Sequence, residues 1–185
     1  LTTHAIVKYL ILEKFLFTSL HEYDEAATLL AQHDIKAWVN CPRRLFAYYD
    51  KIAAVLQNKT PIAMSIEASN WGMCCNSIHF IDIFMKLCGE TSYSIDFSCV
   101  NPQFEKSKRA GYIEFFGTEL VSTPNGNTLT LICNKEESTS DSIQIKGNGV
   151  NISIDEAKQK MCINGEESTI KMPFQSEMTG DVVDY

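Results

Sequence analysis

The strongest constraint on how this chain can fold is the pairing of two short apolar runs with two helical patterns in its first 57 residues. Residues 7–12 (VKYLIL) and 35–40 (IKAWVN) have the apolar character of strands buried in a parallel sheet. Between them, residues 24–32 (DEAATLLAQ) set Ala27, Leu30 and Ala31 on one helical face, with acids in the first turn where the helix dipole favours them. Pro42 suits the first turn of a helix over 43–57, striped by Leu45, Tyr48, Tyr49, Ile52 and Leu56. Strand–helix–strand–helix order predicts the βαβ unit of an α/β sheet.

The pattern changes at residues 59–61. Residues 62–68 alternate as a strand, and 75–87 form an amphipathic helix ending near Gly89. Short β-type runs follow at 93–100, 112–116, 129–133, 142–145, 150–154 and 160–163. They are parted by the turn residues Pro124-Asn125-Gly126-Asn127, Gly147-Asn148-Gly149 and Asn164-Gly165. Residues 136–142 read as a polar loop, and no internal repeat is present. The expected architecture is α/β, partial Rossmann-like, over 1–60, followed by α+β with an open, mostly antiparallel sheet over 61–185.

Composition excludes several function classes. A net charge of -7 leaves no clustered cations for a nucleic-acid backbone. The densest basic stretch, Lys106, Lys108 and Arg109, is short and lies beside Glu105, as a solvated loop does. No apolar run approaches the ~20 residues that span a bilayer, and no export leader is visible. The seven cysteines are odd in number, irregularly spaced and without a CxxC pair. That suits reduced thiols in a cytoplasmic protein and argues against a zinc site. The chain opens on Leu1 and closes on DVVDY, which reads as a helix's first turn; both ends are expected to continue.

Three segments carry candidate chemistry. Glu13-Lys14 ends the first strand, where open α/β sheets collect ligands, and a lysine there can hold substrate and cofactor hydroxyls. The same pair also reads as an exposed loop. His79 shares a helical face with Asn76 and Asp82, so either can orient the imidazole for proton transfer; a core histidine is the alternative. Asn40, Arg43 and Arg44 sit where the second strand opens a helix, fit to receive an anionic group or to pair on the surface. Trp71 suits a pocket wall or the core. His21 and His33 are assigned no role.

In this order the segments resemble the Gfo/Idh/MocA family of oxidoreductases. That family places EKP after a Rossmann strand, an N-x-x-R-type segment after the next strand, and a catalytic histidine on the first long helix of its second domain. His4, similar to the family's usual histidine just before the helix that precedes the EKP strand, and Pro173-Phe174-Gln175-Ser176-Glu177, leading into a helix, resemble further family segments. The resemblance implies NAD- or NADP-dependent hydride transfer at a hydroxyl-bearing carbon of a sugar or cyclitol-like substrate. His79 and Lys14 would be catalytic, Asn76 and Asp82 orienting, Glu13 and Lys14 at the cofactor, and Asn40, Arg43, Arg44 and Trp71 in the substrate pocket. It also implies a homodimer or homotetramer formed through the open sheet face, with residues 1–60 the end of a dinucleotide-binding domain.

The departures from the family are specific. Phe15 stands where EKP has proline, and Cys75 stands where many members carry an aspartate four residues before the histidine. No G-x-G-x-x-G occurs, so the pyrophosphate loop would precede Leu1, and this chain alone is expected to bind the cofactor weakly or not at all. Phe15 and Cys75 also fit a non-catalytic binding or assembly module on the same scaffold.

Overall fold

The computed structural model describes residues 6–14, 16–107, 110–136 and 142–184. His4, Phe15, Lys108, Arg109 and most of the 136–142 loop lie outside the described residues. The first half forms the expected βαβ unit. Strand β1 (Tyr9–Leu12) pairs in parallel with β2 (Lys36–Val39), and helix α1 (Leu20–Gln32) connects them. Helix α1 starts four residues before Asp24 because Ser19 and Glu22 form a reciprocal capping box.

The expected helix over 43–57 is divided. Pro42–Leu45 makes a 3-10 turn, and α2 (Ala47–Leu56) begins afresh after it. The break falls at Phe46, extended at ψ 123° and buried beside the ring of Tyr48. Burial of that ring outweighs helix continuity at one residue.

The second half builds β3 (Ala63–Ser69), α3 (Met73–Cys88) and β4 (Ser94–Val100). The short hairpin β5 (Glu105–Lys106) and β6 (Ile113–Glu114) precedes β7 (Gly117–Ser122) and β8 (Thr128–Asn134). Then come β9 (Ser142–Gly147), β10 (Val150–Asp155), β11 (Lys160–Ile163), β12 (Glu166–Thr169) and a short helix α4 (Thr179–Asp184). Eight strands form one sheet in the order β12-β11-β10-β9-β3-β8-β7-β4. Only β3 and β8 pair in parallel; the other neighbours are antiparallel. The sheet is open and mostly antiparallel, as the sequence predicts.

Period-two alternation sends Met64, Ile66, Leu129, Leu131, Ile145 and Ile152 to one face, each no more than 3% exposed. Tyr49 and Ile52 of α2 and Ile83 and Phe84 of α3 cover that face and are fully buried. Each such side chain contributes about 1.5–3 kcal/mol by leaving water. The opposite face carries a row of half-buried polar or small side chains across paired strands: Thr130, Ser65, Gln144, Ser153 and Cys162.

Three strands stand where the sequence predicts none: β5, β7 and β12. The strand expected at 112–116 shortens to β6 (Ile113–Glu114), and β7 follows it unannounced because Glu119 points inward with Val121 and disguises the alternation. Gly117 starts it at φ +119°, and a Cβ there would meet the Cys99 carbonyl at 2.6 Å, so only glycine fits. β12 (EEST) is exposed along its whole length and carries no apolar signal.

Candidate active site

Helix α3 is placed for chemistry by its two glycine ends. Gly72 at φ +76° turns the chain out of β3, and Gly89 at φ +69° closes the helix with its N–H on the Met85 carbonyl. A side chain at position 72 would crowd the Asn76 amide, its Cβ only 3.3 Å away. The first turn of α3 thereby faces the ends of β1 and β2 across a cavity of about 580 Å³. Glu13, Lys14, Asn40, Asn76 and His79 all line it, so residues far apart in sequence meet there.

Lys14 reaches across this cavity to α3. Its Nζ donates to the Cys75 carbonyl at 2.7 Å and to Asn76 Oδ1 at 3.0 Å. Asn76 Nδ2 in turn donates to the Trp71 carbonyl at 2.6 Å. Asn40 Nδ2 donates to Glu13 Oε1 at 2.6 Å, fixing the neighbouring carboxylate. Cys75 thus serves through its backbone carbonyl.

His79 lies one turn beyond Asn76. Its pKa is pushed down to about 4, by burial first and then by the charges of Lys14 and Arg43, with Glu13 opposing. The imidazole is therefore uncharged at neutral pH, the state that accepts a proton. Among the described residues its buried Nδ1 has no hydrogen-bond partner.

The expected orienting residues serve other partners. Asn76 is committed to Lys14 and Trp71, and Asp82 Oδ1 accepts from Arg44 at 2.8 Å. Burial raises the Asp82 pKa against the opposing charges of Arg44 and Lys86. Reach decides both assignments, because helical i, i+3 spacing brings side chains near without forcing a bond.

The two arginines also depart from expectation. Arg44 points to Asp82 and does not line the cavity. Arg43 does line it, but its guanidinium pairs with Glu156 and lies 5.0 Å from the Phe80 ring centroid. They sit in a four-residue 3-10 turn, so no long helix directs its dipole at an anion there. Trp71 fills both roles open to it: it lines the cavity, donates Nε1–H to the Ile132 carbonyl at 2.9 Å and meets Phe80 edge-on. Glu156 and Tyr48 were missed as site residues. Nothing in the turn Asp155-Glu156-Ala157-Lys158 distinguishes it from an ordinary surface turn.

Glu13, Lys14 and Asn40 supply the donors and acceptors that ribose hydroxyls need beside a strand end. A pyrophosphate needs open N–H groups, usually at a helix start after a strand. At α1 the Glu22 carboxylate already accepts from the Thr18 and Ser19 amides, both at 2.9 Å. At α3, Glu114 accepts from the Cys74 amide at 2.9 Å. Carboxylates thus already take amides beside the starts of α1 and α3.

Among the described residues no cluster of three or more His, Cys, Asp or Glu side chains is placed to hold a metal ion. All seven cysteines are free thiols. No helix of the described residues is long and apolar enough to cross a membrane.

No family model and no curated protein matches the chain. Solved structures do. A dehydrogenase from Clostridium difficile is 15% identical with a TM-score of 0.61, covering 90% of this chain and 56% of its own. Biliverdin reductase from Synechocystis, solved with biliverdin and NADP+, is 14% identical with a TM-score of 0.68, covering 96% and 63%. A UDP-N-acetylglucosamine 3-dehydrogenase from Acidithiobacillus ferrooxidans is 11% identical with a TM-score of 0.65, covering 94% and 59%. The likeness is one of fold: the chain has the fold of Gfo/Idh/MocA-type oxidoreductases and spans about three fifths of the length of these structures.

Proposed function

We propose that this chain forms the substrate side of an NAD- or NADP-dependent oxidoreductase acting on a hydroxyl-bearing carbon of a sugar or cyclitol-like substrate. The meeting of Lys14, Asn76 and an uncharged His79 in one cavity is the observation that carries this reading. When bound, the nicotinamide supplies the hydride acceptor or donor.

The chain's residues handle position and protons. Lys14, steadied by Asn76 and the Cys75 carbonyl, offers a donor to the reacting hydroxyl and to the ribose. In the oxidising direction the hydroxyl proton passes to the neutral His79 imidazole; in the reducing direction His79 returns it. Nearby Lys14 and Arg43 disfavour the imidazolium, so the proton leaves readily for solvent once the product forms. Trp71 and Phe80 wall the cavity and limit water.

Binding of the dinucleotide by this chain alone is weak or absent in this reading, because no G-x-G-x-x-G loop lies within its residues to cradle the pyrophosphate. The free thiols support a cytoplasmic setting. The open sheet face is the proposed surface for a homodimer or homotetramer.

One observation favours a second reading, a non-catalytic binding module: the orienting partners expected for His79 serve other groups. Turnover by the full-length parent protein across neutral sugars and cyclitols with NAD or NADP separates the two. His79→Ala is expected to lower it by roughly two to four orders of magnitude. Near-normal activity in that variant removes the proposed mechanism, and a silent Lys14→Ala beside it favours the binding module.

A further inference from the structure

Glu156, in the turn that follows β10, forms part of the cavity wall. One of its carboxylate oxygens accepts from the Tyr48 hydroxyl at 2.6 Å, and the other pairs with Arg43. Tyr48 is buried, and the Arg43 and Glu156 side chains are only 21% and 18% exposed. Arg43 is further fixed by lying over the rings of Phe80 and Phe46, at 5.0 and 5.9 Å.

A guanidinium already shared with one carboxylate grips a second only by loosening the first. Lys14, the other cation of the cavity, already serves the Cys75 carbonyl and Asn76. Among the described lining residues, the carboxylates Glu13, Glu67 and Glu156 outnumber the cations Lys14 and Arg43. A ligand carboxylate entering here would meet excess negative charge in a partly dried site, where screening is weak.

We propose that Glu156 is a specificity-determining residue: by holding Arg43 it admits uncharged polyhydroxy ligands and excludes their acidic counterparts. Specificity of this kind comes from a repulsive element as much as from attraction. The inference rests on the reading of this cavity as a substrate site, and it is tested by binding rather than turnover.

The experiment compares D-glucose with D-glucuronate by ligand-detected NMR titration of the full chain at low ionic strength, with and without NAD. Wild type is expected to favour the neutral sugar by at least about tenfold. Glu156→Gln keeps an acceptor for Tyr48 but frees Arg43 from its charged partner, so glucuronate should gain at least about tenfold while glucose changes little. Glu156→Asp retains the charge and should retain the preference, which guards against a general loss of structure. Equal or tighter binding of glucuronate by wild type overturns the inference. So does a folded Glu156→Gln variant with no gain for the acid, and so does the absence of binding by either sugar. A neutral-over-acid preference that survives beside a silent His79→Ala would sink the catalytic reading and leave this one standing.

Discussion

Asn76 holds Lys14: its Oδ1 accepts from the ammonium at 3.0 Å while its Nδ2 is anchored on the Trp71 carbonyl at 2.6 Å. An amide tied at both ends has one orientation, so the lysine is aimed by a group 62 positions away in sequence. A charge-assisted bond of this kind contributes about 1.5–3 kcal/mol. Asn76→Ala should therefore lower kcat/KM by roughly tenfold or more. Steady-state kinetics of the full-length parent protein, on a variant with wild-type circular dichroism, checks this, and an unchanged kcat/KM would show that Lys14 needs no such aim.

The His79 titration gives a second prediction. Burial and two nearby cations hold its pKa near 4, below the usual histidine value of 6.5. The unfolded chain then binds more protons than the folded one between those values, so this group lowers stability as pH falls from about 6.5 to 4. Lys14→Ala removes one of the opposing cations and should move the imidazole titration upward. NMR of the ring C–H signals reads it directly, and a downward or absent shift would contradict the proximity of the two groups.

Glu119 supports a third. It is 4% exposed, its Oε2 has no partner among the described residues, and its pKa is raised. Burial is the main cause; Ser77 opposes it and Glu114 adds to it. A carboxyl with a raised folded pKa costs stability as pH climbs from its unfolded value through its folded one. Glu119→Gln removes the charge at similar volume, so its melting temperature should exceed wild type by a margin that widens from pH 4.5 to pH 8. Thermal melts showing a constant or shrinking margin would mean that the carboxylate finds a partner or water.

The sequence disclosed the groups whose signal is local. The apolar runs at β1 and β2 and the glycine that ends α3 all stand where the pattern puts them. Lys14 and His79 were legible because a strand end and a helix face each constrain a neighbourhood. Their partners were not. Whether Asn76 turns to His79 or to Lys14 depends on how two distant segments dock, and periodicity carries nothing about docking. Glu156 was hidden for the same reason, since an acid in a tight turn becomes a cavity wall only when β10 is laid beside α2. Glu119 disguised β7 because one inward carboxylate breaks the alternation by which a strand is recognised.

Asp82 separates what helical spacing suggested from what the fold built. An aspartate three residues from a histidine suits an orienting carboxylate, and Asp82→Asn would then shift the pH–rate profile to lower pH. In the structure Asp82 pairs with Arg44 at 2.8 Å, while its Oδ2 is buried without a partner among the described residues. Two observations on that pair pull apart: the contact looks stabilising, yet the pKa of Asp82 is raised. Burial carries the greater weight, because it outlasts the combined pull of Arg44 and Lys86 on the same carboxylate. The ion pair is consequently worth little. Asp82→Asn should change stability by less than about 1 kcal/mol, since the amide keeps one acceptor for Arg44. The acidic limb of the pH–rate profile should stay where it is, because the proton-handling group is His79 and Asp82 does not touch it. Urea melts and a pH series on the same variant decide both halves, and an acidic displacement of that limb would restore the orienting role to Asp82.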